Sequence, residues 1–132
     1  MSDFTAKRID DMEGLYGGAM RKVRAELGLS SFGVQTVDLP PDFDGYPWHD
    51  HGEEGQEELY VAVRGRATLE LDGGETVELA AGENVARVGP GTRRRVVTGP
   101  EPVRLLIVGG VPGGAYRAKD FTELGAPDPA AS

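Results

Sequence analysis

The feature that most constrains this chain is its punctuation. Twenty glycines and nine prolines are scattered along its 132 residues, leaving mostly short intervals between them. Glycine weakens helix and strand interiors, and proline removes a backbone donor. A chain cut this way suits many short strands and tight turns better than long helices. From Ser31 onward the intervals read as strands. Residues 34–39 form one, stopped by Pro40-Pro41; residues 58–63 and 66–71 follow. In the third, Ala67, Leu69 and Leu71 alternate with Arg66, Thr68 and Glu70, the pattern of a half-buried strand. Asp72-Gly73-Gly74 supplies hairpin chemistry, and residues 76–79, 85–88, 94–98 and 103–108 complete the series. Strands recur about every ten residues, the spacing of an antiparallel sandwich or barrel. One short helix is expected before them, where Met20, Val23 and Leu27 share a face and Gly28 supplies a stop. Residues 1–30 then form an N-terminal extension with that helix, 31–112 the barrel, and 113–132 a partly disordered C-terminal extension.

Composition narrows the function. With no cysteine, disulfides and thiolate metal sites are excluded, so any metal must be held by nitrogen and oxygen. Fourteen basic against twenty-two acidic residues give a net charge of −8, which disfavours nucleic acid and anionic membrane surfaces as partners. The longest apolar run, 103–108, is too short to span a bilayer, and the first residues lack a signal peptide's layout. A cytoplasmic location is the expectation.

Only two histidines occur, and they flank one residue: His49-Asp50-His51. On an extended backbone such positions point to the same side, with α-carbons roughly 6.6 Å apart. Their imidazoles can then converge on one ion at about 2.0–2.1 Å each. Downstream, Glu57 and Glu58 open a strand, and one of the two must face the same side. An isolated H-x-H in an acidic loop is often only solvated; here all the histidine in the chain is spent just before a carboxylate-led strand.

The run His49, His51, Glu58, six residues, Gly65 resembles the first motif of the cupins, and the spacing to Gly65 selects Glu58 over Glu57. Residues 82–95, with Gly89-Pro90-Gly91-Thr92, resemble the second motif. The resemblance implies an all-β antiparallel jelly-roll barrel, the double-stranded β-helix. It also implies a metal site of His49, His51 and Glu58 for a divalent ion such as Fe, Mn, Zn or Ni, and a homodimer. The departures are specific. The spacer from His51 to Glu58 is six residues, so Gly52 to Gln56 make a longer loop, and Phe43 and Gly89 stand where the family has glycine and proline. Arg94 stands where it has its fourth ligand, a histidine, and Thr98 where it has an asparagine.

Arginine offers no lone pair and stays protonated. Facing inward about 5 Å from a dication, it would be repelled by about 6–7 kcal/mol at an effective dielectric near 20. Two arrangements are physically sensible. In the first, three ligands hold the ion and Arg94 clamps the anionic group of a substrate. In the second, Arg94 pairs with Glu58 or Glu57, and the barrel is a metal-free binder. The first is the leading expectation: a metal-dependent enzyme, of oxygenase, isomerase or lyase type, acting on a small anionic organic molecule. The competing class is a non-catalytic small-molecule-binding module. Tyr60 and Ala62 share the Glu58 face, so Tyr60 is a candidate for binding or catalysis as well as a packed tyrosine. Glu57 is the other candidate base. Trp48 is a candidate contact for the ligand, or a packing residue at the barrel mouth. Leu59, Val61 and Val63 form an outward stripe that needs cover from the N-terminal segment or a second subunit.

Overall fold

The computed structural model describes residues 2–130. Nine strands follow one another: β1 (Gly14–Leu15), β2 (Met20–Arg21), β3 (Gly33–Leu39), β4 (Glu57–Arg64), β5 (Arg66–Leu71), β6 (Thr76–Ala80), β7 (Val85–Val88), β8 (Arg94–Thr98) and β9 (Val103–Gly110). A five-residue helix, α1 (Val23–Leu27), lies between β2 and β3. The strands make two antiparallel sheets, in the orders β1-β2-β3-β9-β4-β7 and β6-β5-β8. No helix among the described residues is long and apolar enough to cross a membrane.

Alternation builds the core. Val37 and Leu39, Tyr60 and Ala62, and Val103, Leu105 and Ile107 face inward from the larger sheet, and meet Ala67, Leu69, Leu79 and Val96 from the smaller one. This is the all-β jelly roll the resemblance implied. Gly65 makes the β4–β5 corner possible: its φ is +77°, and a Cβ there would sit 2.4 Å from the Pro102 carbonyl oxygen. The outward stripe also falls where parity put it, with Leu59 38% and Val63 43% exposed and Val85 beside them at 60%. The N-terminal segment leaves these residues open.

Two expectations need correction at the ends. Met20 belongs to β2, pairing with Val37, so the helix is shorter than the periodicity implied. It stops at Gly28, whose left-handed φ of 75° lets its N–H reach the carbonyls of Arg24 and Ala25. Since β1 and β2 extend the larger sheet, the sheet begins at Gly14, ahead of residue 31. Second, the C-terminal extension to Ala130 is tied down. Asp128 accepts from the backbone N–H groups of Tyr16 and Gly17, Gly125 donates to Glu13, and buried Lys22 donates to the Glu123 carbonyl. The compositional expectation of disorder overlooked these pairings with the N-terminal segment. The last two residues of that extension lie outside the described ones.

Candidate metal centre

The site begins with backbone geometry. His49 exchanges both backbone hydrogen bonds with Arg94, at 3.0 and 2.9 Å, which seats the histidine loop on the start of β8. His51 N–H donates to the carbonyl of Pro90, so the Gly89–Gly91 turn holds the second imidazole. Glu58 comes from β4, opposite Gly109 of β9. The three side chains offer one donor atom each, all within 4.8 Å of one another.

Each donor is held. His49 Nδ1 lies 3.1 Å from the Pro47 carbonyl; donating there, it leaves Nε2 with the lone pair and fixes the ring. Burial moves the His49 pKa down, which favours the neutral form a ligand needs. His51 Nε2 lies 3.4 Å from Glu58 Oε1, and this partner raises the His51 pKa. Its Nδ1 is buried without a hydrogen bond, with Glu54 Oε1 at 3.6 Å and Lys119 beyond that carboxylate at 2.7 Å. Burial would raise the Glu58 pKa, but hydrogen bonds and charge from His51, with Arg94 and Tyr60, outweigh it and bring it down to about 2. Glu58 is a carboxylate at any physiological pH. Two imidazole nitrogens and one carboxylate oxygen suit a borderline divalent cation, and the fixed Nδ1 of His49 is the support such a ligand has. The residues present fit the metal.

Arg94 enters the site, as the second-motif alignment required, and is 0% exposed. It donates to Glu58 Oε1 at 2.8 Å, the Tyr60 hydroxyl at 3.2 Å, the Thr92 carbonyl at 2.7 Å and the Gly89 carbonyl at 3.2 Å. Four of its five N–H groups are thereby spent. The fork that would clamp a ligand anion is turned on the protein itself, and the expected substrate-binding role does not fit this geometry. Tyr60, also 0% exposed, donates to Glu58 Oε1 at 2.8 Å. It positions Glu58 and is closed off from a ligand, so its expected catalytic and binding roles do not fit either. Both bonds to Glu58 fall on Oε1, which is also the oxygen 3.4 Å from His51 Nε2.

Two further expectations fail on parity. Glu57 alternates with Glu58, faces outward and pairs with Arg87 at 2.7 Å, too far round the sheet to act as a base. Trp48 alternates with His49 and lies under Arg95, whose guanidinium sits 5.1 Å from the ring centroid, itself tied to Glu70. It packs at the mouth, outside the cavity lining. Thr98, at the family's asparagine position, braces the mouth: its hydroxyl donates to the Pro40 carbonyl and accepts from Phe43 N–H.

A cavity of about 490 Å³ opens over the three donors. Its wall is mostly apolar, from Met20, Val37, Leu39, Phe43 and Ile107, with Phe121 from the C-terminal extension. Polar residues that the sequence reading missed also line it, Tyr46 and Gln56 among them. Tyr46 lies against His49 with ring centroids 5.6 Å apart, and Gln56 is 8% exposed at the end of the long loop. Burial, then the Glu58 charge, raises the Tyr46 pKa, so its hydroxyl stays protonated. The unusual loop length was the one signal that could have pointed to Gln56.

Comparison with known structures agrees with this architecture. A cupin protein from Bacteroides fragilis superposes with a TM-score of 0.66 at 21% identity, covering 92% of this chain and 95% of that one. A cupin 2 conserved barrel domain protein from Salinispora arenicola CNS-205 gives 0.50 at 28% identity, over 61% and 63% of the two chains. A DMSP lyase from Ruegeria pomeroyi DSS-3 gives 0.55 at 22%, over 70% of this chain and 45% of the lyase, so this chain spans under half of that enzyme. A comparison with curated proteins gives no match. The model of the cupin domain matches residues 35–109, from β3 to the end of β9 and across both motifs, and the chain belongs to that family.

Proposed function

We propose that this protein is a metal-binding cupin whose cavity holds a small organic molecule against the ion, and that it is an enzyme of oxygenase, isomerase or lyase type. One observation carries the reading: three metal-competent donors converge within 4.8 Å at the base of a 490 Å³ cavity. The volume lies in the range of small-molecule sites. A bound divalent ion would act as a Lewis acid on an oxygen of the bound molecule. His49 and His51 hold the ion through nitrogen, and Glu58 through oxygen. Arg94 and Tyr60 keep Glu58 ionised and aimed, and the apolar wall keeps bulk water from the bound molecule. The likeness to the lyase is one of fold, so the choice among the three reaction types rests on no residue named here.

The ion pair between Arg94 and Glu58 favours a second reading, a metal-free binding module in which the guanidinium takes the place of the ion's charge. Metal analysis of protein purified without an affinity tag separates the two. One divalent ion per chain, lost in His51→Ala, supports the first; a metal-free protein with a bound organic molecule supports the second. We further propose a homodimer in which a second copy covers Leu59, Val61, Val63 and Val85, since an exposed apolar sheet face of this kind is stabilised by burial.

A further inference from the structure

The cavity also carries information about the chemical class of its occupant. Most of its cations are already committed to carboxylates. Lys22 is bound to Glu13 and the Glu123 carbonyl, Arg24 to Glu123, Lys119 to Glu54, and Arg94 to Glu58. Arg21 also lines the cavity; its guanidinium donates to the Met12 carbonyl and pairs with no carboxylate among the described residues. A phosphorylated or multiply charged ligand would therefore enter a mostly apolar chamber with a single guanidinium, that of Arg21, left without a carboxylate, at a large desolvation cost.

Unspent hydrogen-bonding capacity lies beside the donors. The Tyr46 hydroxyl and the Gln56 amide line the cavity and make no side-chain hydrogen bond among the described residues, and the same holds for Tyr116 and Gln35. Gln56 fits there because Gly109 has no side chain; a Cβ at that position would sit 2.8 Å from Gln56 Oε1. Gln56 is 8% exposed, yet its amide is not among the sealed polar atoms that lack a partner, so it stays open to an occupant of the cavity. Met20, Leu39, Phe43 and Phe121 contribute apolar surface to the same cavity.

We infer that the occupant is an amphiphile with one oxygen-bearing head, a carboxylate or carbonyl, on a hydrocarbon body, and that Tyr46 and Gln56 are the residues that orient the head. This deepens the cavity reading given above and does not depend on the ion. It also moves recognition of the head group away from Arg94.

Calorimetric titration of the full chain with octanoate and 3-phenylpropanoate, and with glucose 6-phosphate as the multiply charged contrast, tests it in buffer with and without EDTA. At least one of the two acids binds at one per chain, and glucose 6-phosphate does not. Tyr46→Phe, which keeps the ring and its packing, weakens the acid about tenfold, the loss of one hydrogen bond to a charged group. Metal content is unchanged in that variant. Gln56→Leu gives a loss in the same direction and serves if the first variant folds poorly. The proposal is overturned if neither acid binds in either buffer, if both variants bind like the parent, or if glucose 6-phosphate binds more tightly. Tyr46-dependent binding that persists in EDTA upholds it even where the metal reading fails, and binding that is lost in EDTA overturns it.

Discussion

Replacing Arg94 by methionine removes a guanidinium that is 0% exposed and makes four hydrogen bonds, one of them to a carboxylate 7% exposed. Methionine restores part of the volume and none of the charge. Glu58 is then left as a buried anion, and two backbone carbonyls lose a donor. Breaking a buried pair from one side costs about 3–5 kcal/mol. For a domain of this size that corresponds to a fall in Tm on the order of 15 °C. Urea unfolding at pH 7 reads the loss. Two controls tie it to the charge. Arg94→Met combined with Glu58→Gln recovers a large part of the stability, because the orphaned charge is gone. In the single variant, Zn(II) or Mn(II) raises Tm more than in the parent, because an ion now supplies the charge the arginine supplied. A cost below about 1 kcal/mol, or a double variant no better than the single one, would refute the reasoning.

Three other outcomes follow from named contacts. His51→Ala abolishes stoichiometric metal by elemental analysis and leaves the circular dichroism spectrum intact, whereas Asp50→Ala, which loses only a 3.0 Å bond to Gly52 N–H, changes metal content little. Val61→Lys converts dimer to monomer by light scattering; a variant that stays dimeric places the interface elsewhere. Glu58 has a folded pKa brought from 4.5 down to about 2, so its stabilisation is present above about pH 4.5 and lost as pH falls toward 2. That difference is worth about 3 kcal/mol, and acid titration of Glu58→Gln lacks this part of the slope.

The barrel was legible because strand alternation is a local, covalent fact. β5 and β8 begin and end where the sequence put them, and the outward position of Leu59 and Val63 followed from parity alone. The ends were not legible for the opposite reason. Tyr16, Gly17 and Asp128 meet across a separation of more than a hundred residues, and no local pattern encodes that hydrogen bonding. A five-residue helix is likewise too short for periodicity to mark it off from the strand that precedes it.

The site divides along the same line. Spacing paired His49 with His51, the resemblance to the cupin motifs added Glu58, Tyr60 and Arg94 to the same side of the barrel, and the structure brings all five together. What each does there depends on which hydrogen bonds it has already spent, and those are set by partners far away in the chain. Arg94 reaches Glu58 across thirty-six positions and Tyr60 across thirty-four. An inward arginine at a lost ligand position reads equally well as an anion clamp or as an internal counter-ion. Only the count of committed N–H groups decides, and here that count leaves too few for a clamp. The same accounting turns attention to Tyr46 and Gln56, which no motif marks, because they are polar groups in the cavity that still have something to give.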